Sequence, residues 1–201
     1  MAFFTNFNVR GHVGLLDWYT VSIAILAVVM LAAHGATYLT LKTEGPVHDR
    51  SEEWAKYLWI AAVPLSIVVL VESRIVRPDL PGRALSNPFW WLGLLVTAVS
   101  IIALISGLVG KREWRAFLGS NFLIFGSLAT GSAAIFPVML RSTLSPENSL
   151  TAYAVASSAS TLFRASFWWP AGFALAVFYF IHISRRYTGK VSVQRDTQGF
   201  Y

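Results

Sequence analysis

Residues 89–109 read FWWLGLLVTAVSIIALISGLV and contain no charged side chain. A helix of roughly 20 apolar residues spans the hydrocarbon core of a bilayer. Four other runs are similar, so the sequence predicts membrane-spanning helices over 15–41, 54–75, 89–109, 117–140 and 162–184. These runs are far longer than the alternating segments of about 10 residues that build a membrane β-barrel. The expected fold is an all-α integral membrane protein with about five such helices, a four-helix bundle plus one further helix, in a single membrane domain over 1–201.

The composition of the whole chain is also that of a membrane protein. Of its 201 residues, 55% are hydrophobic and 13% are charged, whereas soluble domains usually carry about 25% charged residues. The chain contains no cysteine, which excludes thiolate metal sites, iron–sulfur clusters and covalent haem attachment through cysteine. The net charge of +6 comes from Lys and Arg residues between the apolar runs. We therefore expect a membrane topology signal and no nucleic-acid partner.

The basic residues are unevenly distributed between the two sides of the predicted topology. One side carries Lys42, Arg50, Lys56, Lys111, Arg112, Arg115, Arg185, Arg186, Lys190 and Arg195. The other side carries the remaining six of the 16 Lys and Arg residues. Because cytoplasmic connections carry the excess of Lys and Arg, we expect a periplasmic N-terminus and a cytoplasmic tail over 185–201. The start, MAFFTNFNVRGH, lacks the basic opening of a secretory signal, so we expect no cleavage.

Two connections between the predicted helices are informative. Residues 42–53 are expected to be a short loop on the inner side. Residues 76–88 carry three prolines and are expected to be irregular, because proline interrupts regular hydrogen bonding. Among the apolar runs, Pro64 is expected to be the one proline that lies well inside a helix.

Small residues recur at intervals of four in the fourth predicted helix. Gly126, Thr130 and Ala134 form one row, and Ser127 and Gly131 form the row beside it. In lipid, such rows let two helix backbones approach closely. The five residues are therefore candidate packing positions. Their neighbour is either another helix of this chain, which every bundle requires, or a partner subunit.

His34 lies in the inner half of the first predicted helix, at a depth where ionisable residues are candidates for function. We expect it to make a structural hydrogen bond, with haem ligation and proton transfer as the alternatives. A haem would normally need a second axial ligand at similar depth. His182, the other histidine in a predicted helix, differs in depth by roughly 5–10 Å at 1.5 Å per residue. No catalytic residue and no metal-ligand set is predicted.

Two carboxylates, Asp17 and Glu72, are expected near the outer interface. Arg74 and Arg164 are placed on the same side and are candidates to neutralise them. We expect solvated helix ends at these positions, and the alternative is coupling to protons from outside.

Several short motifs together resemble one known family. Residues 14–20 read GLLDWYT, and the first predicted helix ends in HGATYL (34–39), followed by KTEG (42–45). The fourth predicted helix ends in AIFP (134–137), and the next loop begins RSTLSP (141–146). This combination resembles the C-terminal half of subunit II of cytochrome bd-type quinol oxidases and extends over nearly the whole chain.

The resemblance implies a role in a terminal oxidase of the respiratory chain, which oxidises membrane quinol and reduces dioxygen to water. In that family, haem b, haem d and the quinol site belong to subunit I. The chain would then be a non-haem subunit that supports assembly and is not catalytic alone. Its expected partners are subunit I, membrane lipid and, through the complex, quinol. The expected location is the bacterial inner membrane, as part of aerobic respiration.

The resemblance leaves out the earlier half of the family pattern. From this we expect a fragment, a split subunit or a sequence with a misassigned start, and the residues leave these alternatives open. From other function classes, the alternatives are a small membrane transporter or channel component and a purely structural assembly factor. Transporters often contain paired helices that are broken at the bilayer midplane. The predicted runs show no such pair, and we therefore favour the oxidase subunit.

Overall fold

The computed structural model describes residues 16–142, 145–187 and 189–192. Leu15, at the predicted start of the first helix, and residues 193–201 of the predicted tail lie outside this range. The described helices are α1 (Trp18–Lys42), α2 (Pro46–Val76), α3 (Leu80–Ser86), α4 (Pro88–Val109), α5 (Glu113–Ile135) and α6 (Ala159–Arg186). All except α3 are long and apolar enough to cross a membrane. The prediction of an all-α integral membrane protein with five spanning helices is confirmed.

Helix α1 begins at Trp18 because Asp17 caps it. The Asp17 carboxylate accepts a hydrogen bond from the backbone N–H of Thr20 at 2.8 Å, and the Thr20 hydroxyl accepts one from the backbone N–H of Asp17 at 3.1 Å. This reciprocal arrangement satisfies donors that an uncapped helix end would leave without partners. Because of this cap, α1 begins at Trp18, whereas the apolar run in the sequence begins at residue 15.

Helix α2 begins at Pro46, well before the predicted start at residue 54, so most of the expected loop over 42–53 is helical. Proline suits the first turn of a helix, where its missing N–H has no intrahelical acceptor. Glu52 and Lys56 then form an i,i+4 ion pair at 2.6 Å, which supports a solvated helix. The apolar run in the sequence predicted only the part of α2 that can lie in a membrane. It did not predict the charged first turns of the helix.

The proline-rich segment after α2 contains a short helix, α3, where we expected irregular chain. Pro81 lies in the first turn of α3, and Pro88 lies in the first turn of α4. Asn87 caps α4, since its side-chain oxygen accepts from the N–H of Phe89 at 3.0 Å. These prolines therefore start helices, which is their favourable position.

Helix α5 ends at Ile135, before the predicted end at residue 140. Pro137 follows closely and cannot continue the helical hydrogen bonding. Strand β2 (Val138–Leu140) then pairs antiparallel with β3 (Leu150–Thr151), on either side of a 3₁₀ turn at Pro146–Asn148. In α6, Pro170 lies inside the helix. The expectation that Pro64 would be the one internal proline was therefore wrong.

The chain forms two compact units. Unit 2 covers Phe136–Lys190 and contains β2, β3 and α6, and unit 1 contains the other described elements. In unit 1, α1 packs on α2 and on α5, and α4 packs on α5. Strand β1 (Thr43–Glu44) pairs in parallel with β4 (Val191–Ser192). The core of unit 1 consists of Ala33, Trp59, Ala62, Leu104, Ala116 and Leu123.

Candidate functional site

His34 joins α1 to α5 inside unit 1. Its Nδ1 lies 2.8 Å from the hydroxyl oxygen of Ser120, and its ring stacks on Phe117 with 5.5 Å between ring centres. Ser120 is fully buried, and its hydroxyl also lies within hydrogen-bonding distance of the Phe117 carbonyl. Tyr38 and Trp114 contact the same Phe117 ring. The imidazole therefore links two helices within an aromatic cluster.

One turn further along α1, a second polar contact joins α1 to α2. The indole N–H of Trp59 donates to the hydroxyl oxygen of Thr37 at 3.1 Å. Thr37 is buried, and its own hydroxyl donates to the Ala33 carbonyl at 2.8 Å. Successive turns of α1 are thus bonded to two different helices. In lipid, contacts of this kind help to hold helices together, because hydrocarbon drives little association between them.

Helices α4 and α5 contact each other backbone to backbone. A Cβ atom added at Gly119 would lie 2.5 Å from a backbone nitrogen of α4, and one added at Gly107 would overlap the backbone of Ala116. One added at Gly126 would lie 2.7 Å from the hydroxyl oxygen of Thr97. These three glycines therefore have no room for a side chain. They set the close approach of α4 and α5.

The small residues that the sequence indicated on α5 occupy two environments. Gly126 and Thr130 lie against α4, and a Cβ atom added at Gly93 would meet the Thr130 hydroxyl at 2.7 Å. In the described part of unit 1, no other helix comes within 4 Å of a Cβ atom added at Gly131. Ser127 donates within its own helix, and Ala134 is half-buried. The row containing Gly126 is thus occupied by this chain, whereas Gly131 has open space.

The two carboxylates expected near the outer interface lie where α1 begins and α2 ends. Asp17 is 7% exposed and caps α1. Glu72 accepts a hydrogen bond from the Ser22 hydroxyl at 3.0 Å. Within the described part of unit 1, neither carboxylate forms an ion pair with an arginine. Asp17 is therefore held by its capping bonds and not by Arg74.

At the opposite end of unit 1, a histidine connects the first turns of α2 and α5. His48 Nε2 lies 3.0 Å from Glu113 Oε1, and Nδ1 lies 3.2 Å from Asp49 Oδ1. The side chain of His48 is 21% exposed. This contact fixes the charged first turns of α2 beside the start of α5.

The described residues of unit 1 place no second axial ligand opposite His34. His34 bonds Ser120 through Nδ1, which leaves Nε2 available, and both ring nitrogens of His48 face carboxylates. Met30 is one turn from His34 on the same face of α1, so the two cannot lie on opposite sides of one haem plane. His182 is an exposed residue of unit 2 that stacks on Phe178. Over 16–142, 145–187 and 189–192, no group of three or more His, Asp or Glu side chains is placed to hold a metal ion.

Sequence patterns did not reveal the partners of these side chains. Ser120 is separated from His34 by 86 positions, and Trp59 from Thr37 by 22 positions, and neither pair shares a motif. Gly119 does carry a signal, because Gly119 and Gly126 lie seven residues apart, which is close to two helical turns. This spacing on α5, taken together with the glycines of α4, indicates the close contact between the two helices, which we call the α4–α5 seam.

Unit 1 is thus a set of membrane-crossing helices held together by hydroxyl groups, the imidazoles of His34 and His48, and glycine contacts. Its described interior polar groups serve helix packing, and the structure defines a multi-pass α-helical membrane protein. The family model for cytochrome bd terminal oxidase subunit II matches residues 2–186. The chain belongs to that family, and the resemblance seen in its motifs is confirmed.

The chain shares low sequence identity with individual members of the family. The chain is 22% identical over 175 residues to cytochrome bd-I ubiquinol oxidase subunit 2 of Escherichia coli strain K12. This match covers 74% of the chain and 46% of the relative. The proteins of the same name from Escherichia coli O6:H1 and O157:H7 match with the same identity and coverage. The chain therefore spans about half the length of the curated relatives it matches.

Proposed function

We propose that this chain acts as a non-haem subunit of a cytochrome bd-type terminal oxidase complex, which oxidises membrane quinol and reduces dioxygen to water. The observation that carries this proposal is the family match over residues 2–186. The curated relatives are named as subunits of a ubiquinol oxidase. The five helices that are able to cross a membrane suit a subunit that works where quinol is dissolved.

In this complex, haem b and haem d are bound by a partner that corresponds to subunit I. Electron transfer from quinol to dioxygen requires a redox cofactor, because protein side chains do not supply that chemistry unaided. In this chain, His34 is engaged in joining α1 to α5, and His48 lies between two carboxylates. The role we propose for the chain is to support assembly of the complex and the stability of its partner.

The contact with the partner includes the small-residue face of α5 at Gly131. The neighbouring row is already filled by α4 at Gly126 and Thr130. At Gly131, no other helix in the described part of unit 1 approaches within 4 Å of an added Cβ atom. A partner helix can therefore approach the α5 backbone closely at this point, which is the usual benefit of glycine in membrane helices.

We further propose that the complex lies in the bacterial inner membrane, with the start of α1 facing the periplasm and the end of α6 facing the cytoplasm. The excess of Lys and Arg at the ends of the predicted inner connections supports this orientation. A reporter active only in the cytoplasm should be active when fused after Tyr201. A reporter active only in the periplasm should be inactive there, and the reverse result would contradict the orientation.

The experiment for the oxidase function uses an affinity tag on this chain in membranes that contain its partner. The purified complex should show haem b and haem d bands and should consume oxygen when quinol is added. Purification of the tagged chain without haem bands, from membranes that do contain both haems, would contradict the proposal. Capture of the haem-bearing partner through the tag identifies the contact directly.

A further inference from the structure

A cleft lies at the end of unit 1 where α2 begins, and the proposed function does not use it. The cleft has a volume of about 470 Å³. One wall is formed by the first turns of α2, and the other by Lys111 in the turn between α4 and α5. Both walls belong to unit 1, so the shape of the cleft is defined within one compact unit.

The lining of the cleft changes from charged to apolar along α2. Asp49, Glu53 and Lys111 line its polar part, and Tyr57 and Ile60 line its apolar part. Tyr57 is exposed and is the first residue of the charge-free stretch 57–71. Tyrosine at such a position suits the boundary between headgroups and hydrocarbon. The cleft therefore lies at the depth of phospholipid headgroups.

The polar part of the cleft carries charges of both signs. Glu52 pairs with Lys56 at 2.6 Å within α2. Glu53 and Lys111 are exposed, and within the described part of unit 1 neither forms an ion pair within 4.0 Å. The cleft thus offers one carboxylate and one ammonium group to a ligand that itself carries both charges.

The position of Lys111 is set by the backbone of the turn between α4 and α5. The N–H of Gly110 donates to the Ser106 carbonyl at 3.1 Å, and the N–H of Arg112 donates to the Gly107 carbonyl at 2.8 Å. Between these two bonds, Lys111 has a φ of 49°, which is the left-handed conformation that often ends a helix. The turn therefore holds the Lys111 backbone in one place beside the cleft.

We propose that this cleft binds a phospholipid whose headgroup carries a phosphate and a primary ammonium group, as in phosphatidylethanolamine. The phosphate pairs with Lys111, the ammonium group donates to Glu53 and Asp49, and the acyl chains pass along Tyr57 and Ile60. A primary ammonium group supplies three N–H donors, which carboxylates accept in charge-assisted hydrogen bonds. A choline headgroup has no N–H donor, and a glycerol headgroup brings no cation to the carboxylates.

Such a lipid joins α2 to the turn between α4 and α5. Near the cleft, α2 and α5 are already connected by the contact between His48 and Glu113 at 3.0 Å, and the lipid adds a second link. A ligand that binds only the folded chain stabilises it. The site requires neither quinol nor a partner subunit, so its test is independent of the proposed oxidase function.

The test is native mass spectrometry of the full chain in detergent with equimolar phosphatidylethanolamine, phosphatidylcholine and phosphatidylglycerol that have identical acyl chains. The natural protein should retain phosphatidylethanolamine about threefold more than either competitor, which is within the range of partly exposed ion pairs. Glu53→Gln combined with Lys111→Gln should abolish this preference. The matched control combines Glu147→Gln with Arg115→Gln, which alter exposed charges outside the cleft, and should keep it.

Equal retention of the three lipids by the natural protein, or loss of the preference in the control, would overturn the proposal. If the cleft variant fails to accumulate, the thermal unfolding midpoint of the natural protein provides a second measurement. Added phosphatidylethanolamine should raise this midpoint more than phosphatidylcholine does, and equal midpoints would refute the site. Glycerophosphoethanolamine, which lacks acyl chains, should not displace the lipid at the same concentration. Displacement would show that the cleft binds a free headgroup compound and not a phospholipid.

Discussion

Substitutions of His34 test whether this chain takes part in haem binding. Glutamine can hydrogen-bond to Ser120 but is a poor axial ligand to haem iron. We therefore expect His34→Gln to leave the haem absorption bands of the purified complex unchanged. His34→Leu, which removes the bond, should lower stability by about 1 kcal/mol, the net value of an ordinary hydrogen bond. Loss of one haem band in His34→Gln, with normal amounts of both subunits, would show that this histidine is a ligand.

Asp79 lies in the connection between α2 and α3. From its ion pair with Arg77 we expect the stability of the chain to depend weakly on pH in the acid range. A hydrogen bond from Arg77 holds the pKa of the Asp79 carboxyl group below its usual value of 3.8. The stabilisation is therefore fully present above pH 3.8 and is lost as the pH falls through the lower pKa of the folded chain. Because the pair is partly exposed, its contribution should be under about 1 kcal/mol and should shrink in high salt.

The measurement for Asp79 is the thermal unfolding midpoint of the chain in detergent as a function of pH. The natural chain should lose stability as the pH falls into the acid range. The Asp79→Asn variant should lose slightly less, because its side chain at this position does not titrate. Glu147→Gln serves as a control, because it changes an exposed carboxyl group in the 3₁₀ turn. An equal effect of Glu147→Gln would mean that Asp79 has no special place in the acid response.

The seam between α4 and α5 predicts opposite behaviour for two glycines of the same helix. Gly119→Ala places a methyl group 2.5 Å from a backbone nitrogen of α4, so the two helices must move apart. Overpacking of this kind typically costs about 1–3 kcal/mol. Gly131→Ala meets open space and should leave the unfolding midpoint of the isolated chain within roughly 0.5 kcal/mol of the natural protein.

Larger substitutions separate packing within the chain from packing against a partner. Gly131→Leu should leave the isolated chain folded and should weaken recovery of the haem-bearing partner, because it blocks the proposed contact on α5. Gly126→Leu should destabilise the isolated chain as well, since Gly126 faces Thr97. Normal assembly of the Gly131→Leu complex would remove that face from the interface.

The sequence predicted helix α4 closely and other helices less well, for identifiable reasons. The charge-free run over 89–109 nearly coincides with α4 because Asn87 and Pro88 start the helix and Gly110 follows it. Hydropathy measures suitability for lipid and not helix length, so it missed the charged first turns of α2. It also extended α5 through Pro137, where local backbone chemistry ends the helix.

The candidate site was only partly accessible from the sequence. Spacing by four residues marked Gly126 and Gly131 as small positions on α5, but spacing within one helix cannot tell which neighbour each position meets. His34 was recognisable from its depth, yet its contact with Ser120 depends on how α1 and α5 cross. The hydrogen bond from Ser22 to Glu72 is likewise a property of tertiary packing, because the two residues are separated by 50 positions in the sequence.

The chain should show no oxidase activity by itself. Quinol oxidation and dioxygen reduction need redox centres, and the described residues of unit 1 place no second haem ligand opposite His34. Expressed in membranes that lack other terminal oxidases, the chain should give neither haem b nor haem d bands in a reduced-minus-oxidised spectrum, and no oxygen uptake on added quinol. Coexpression with a haem-bearing partner of the same family should restore both signals, which shows that the membranes and the assay are competent. Haem bands and oxygen uptake from the chain alone would refute the assignment of the haems to a partner. His34 and His182 would then be the first residues to replace.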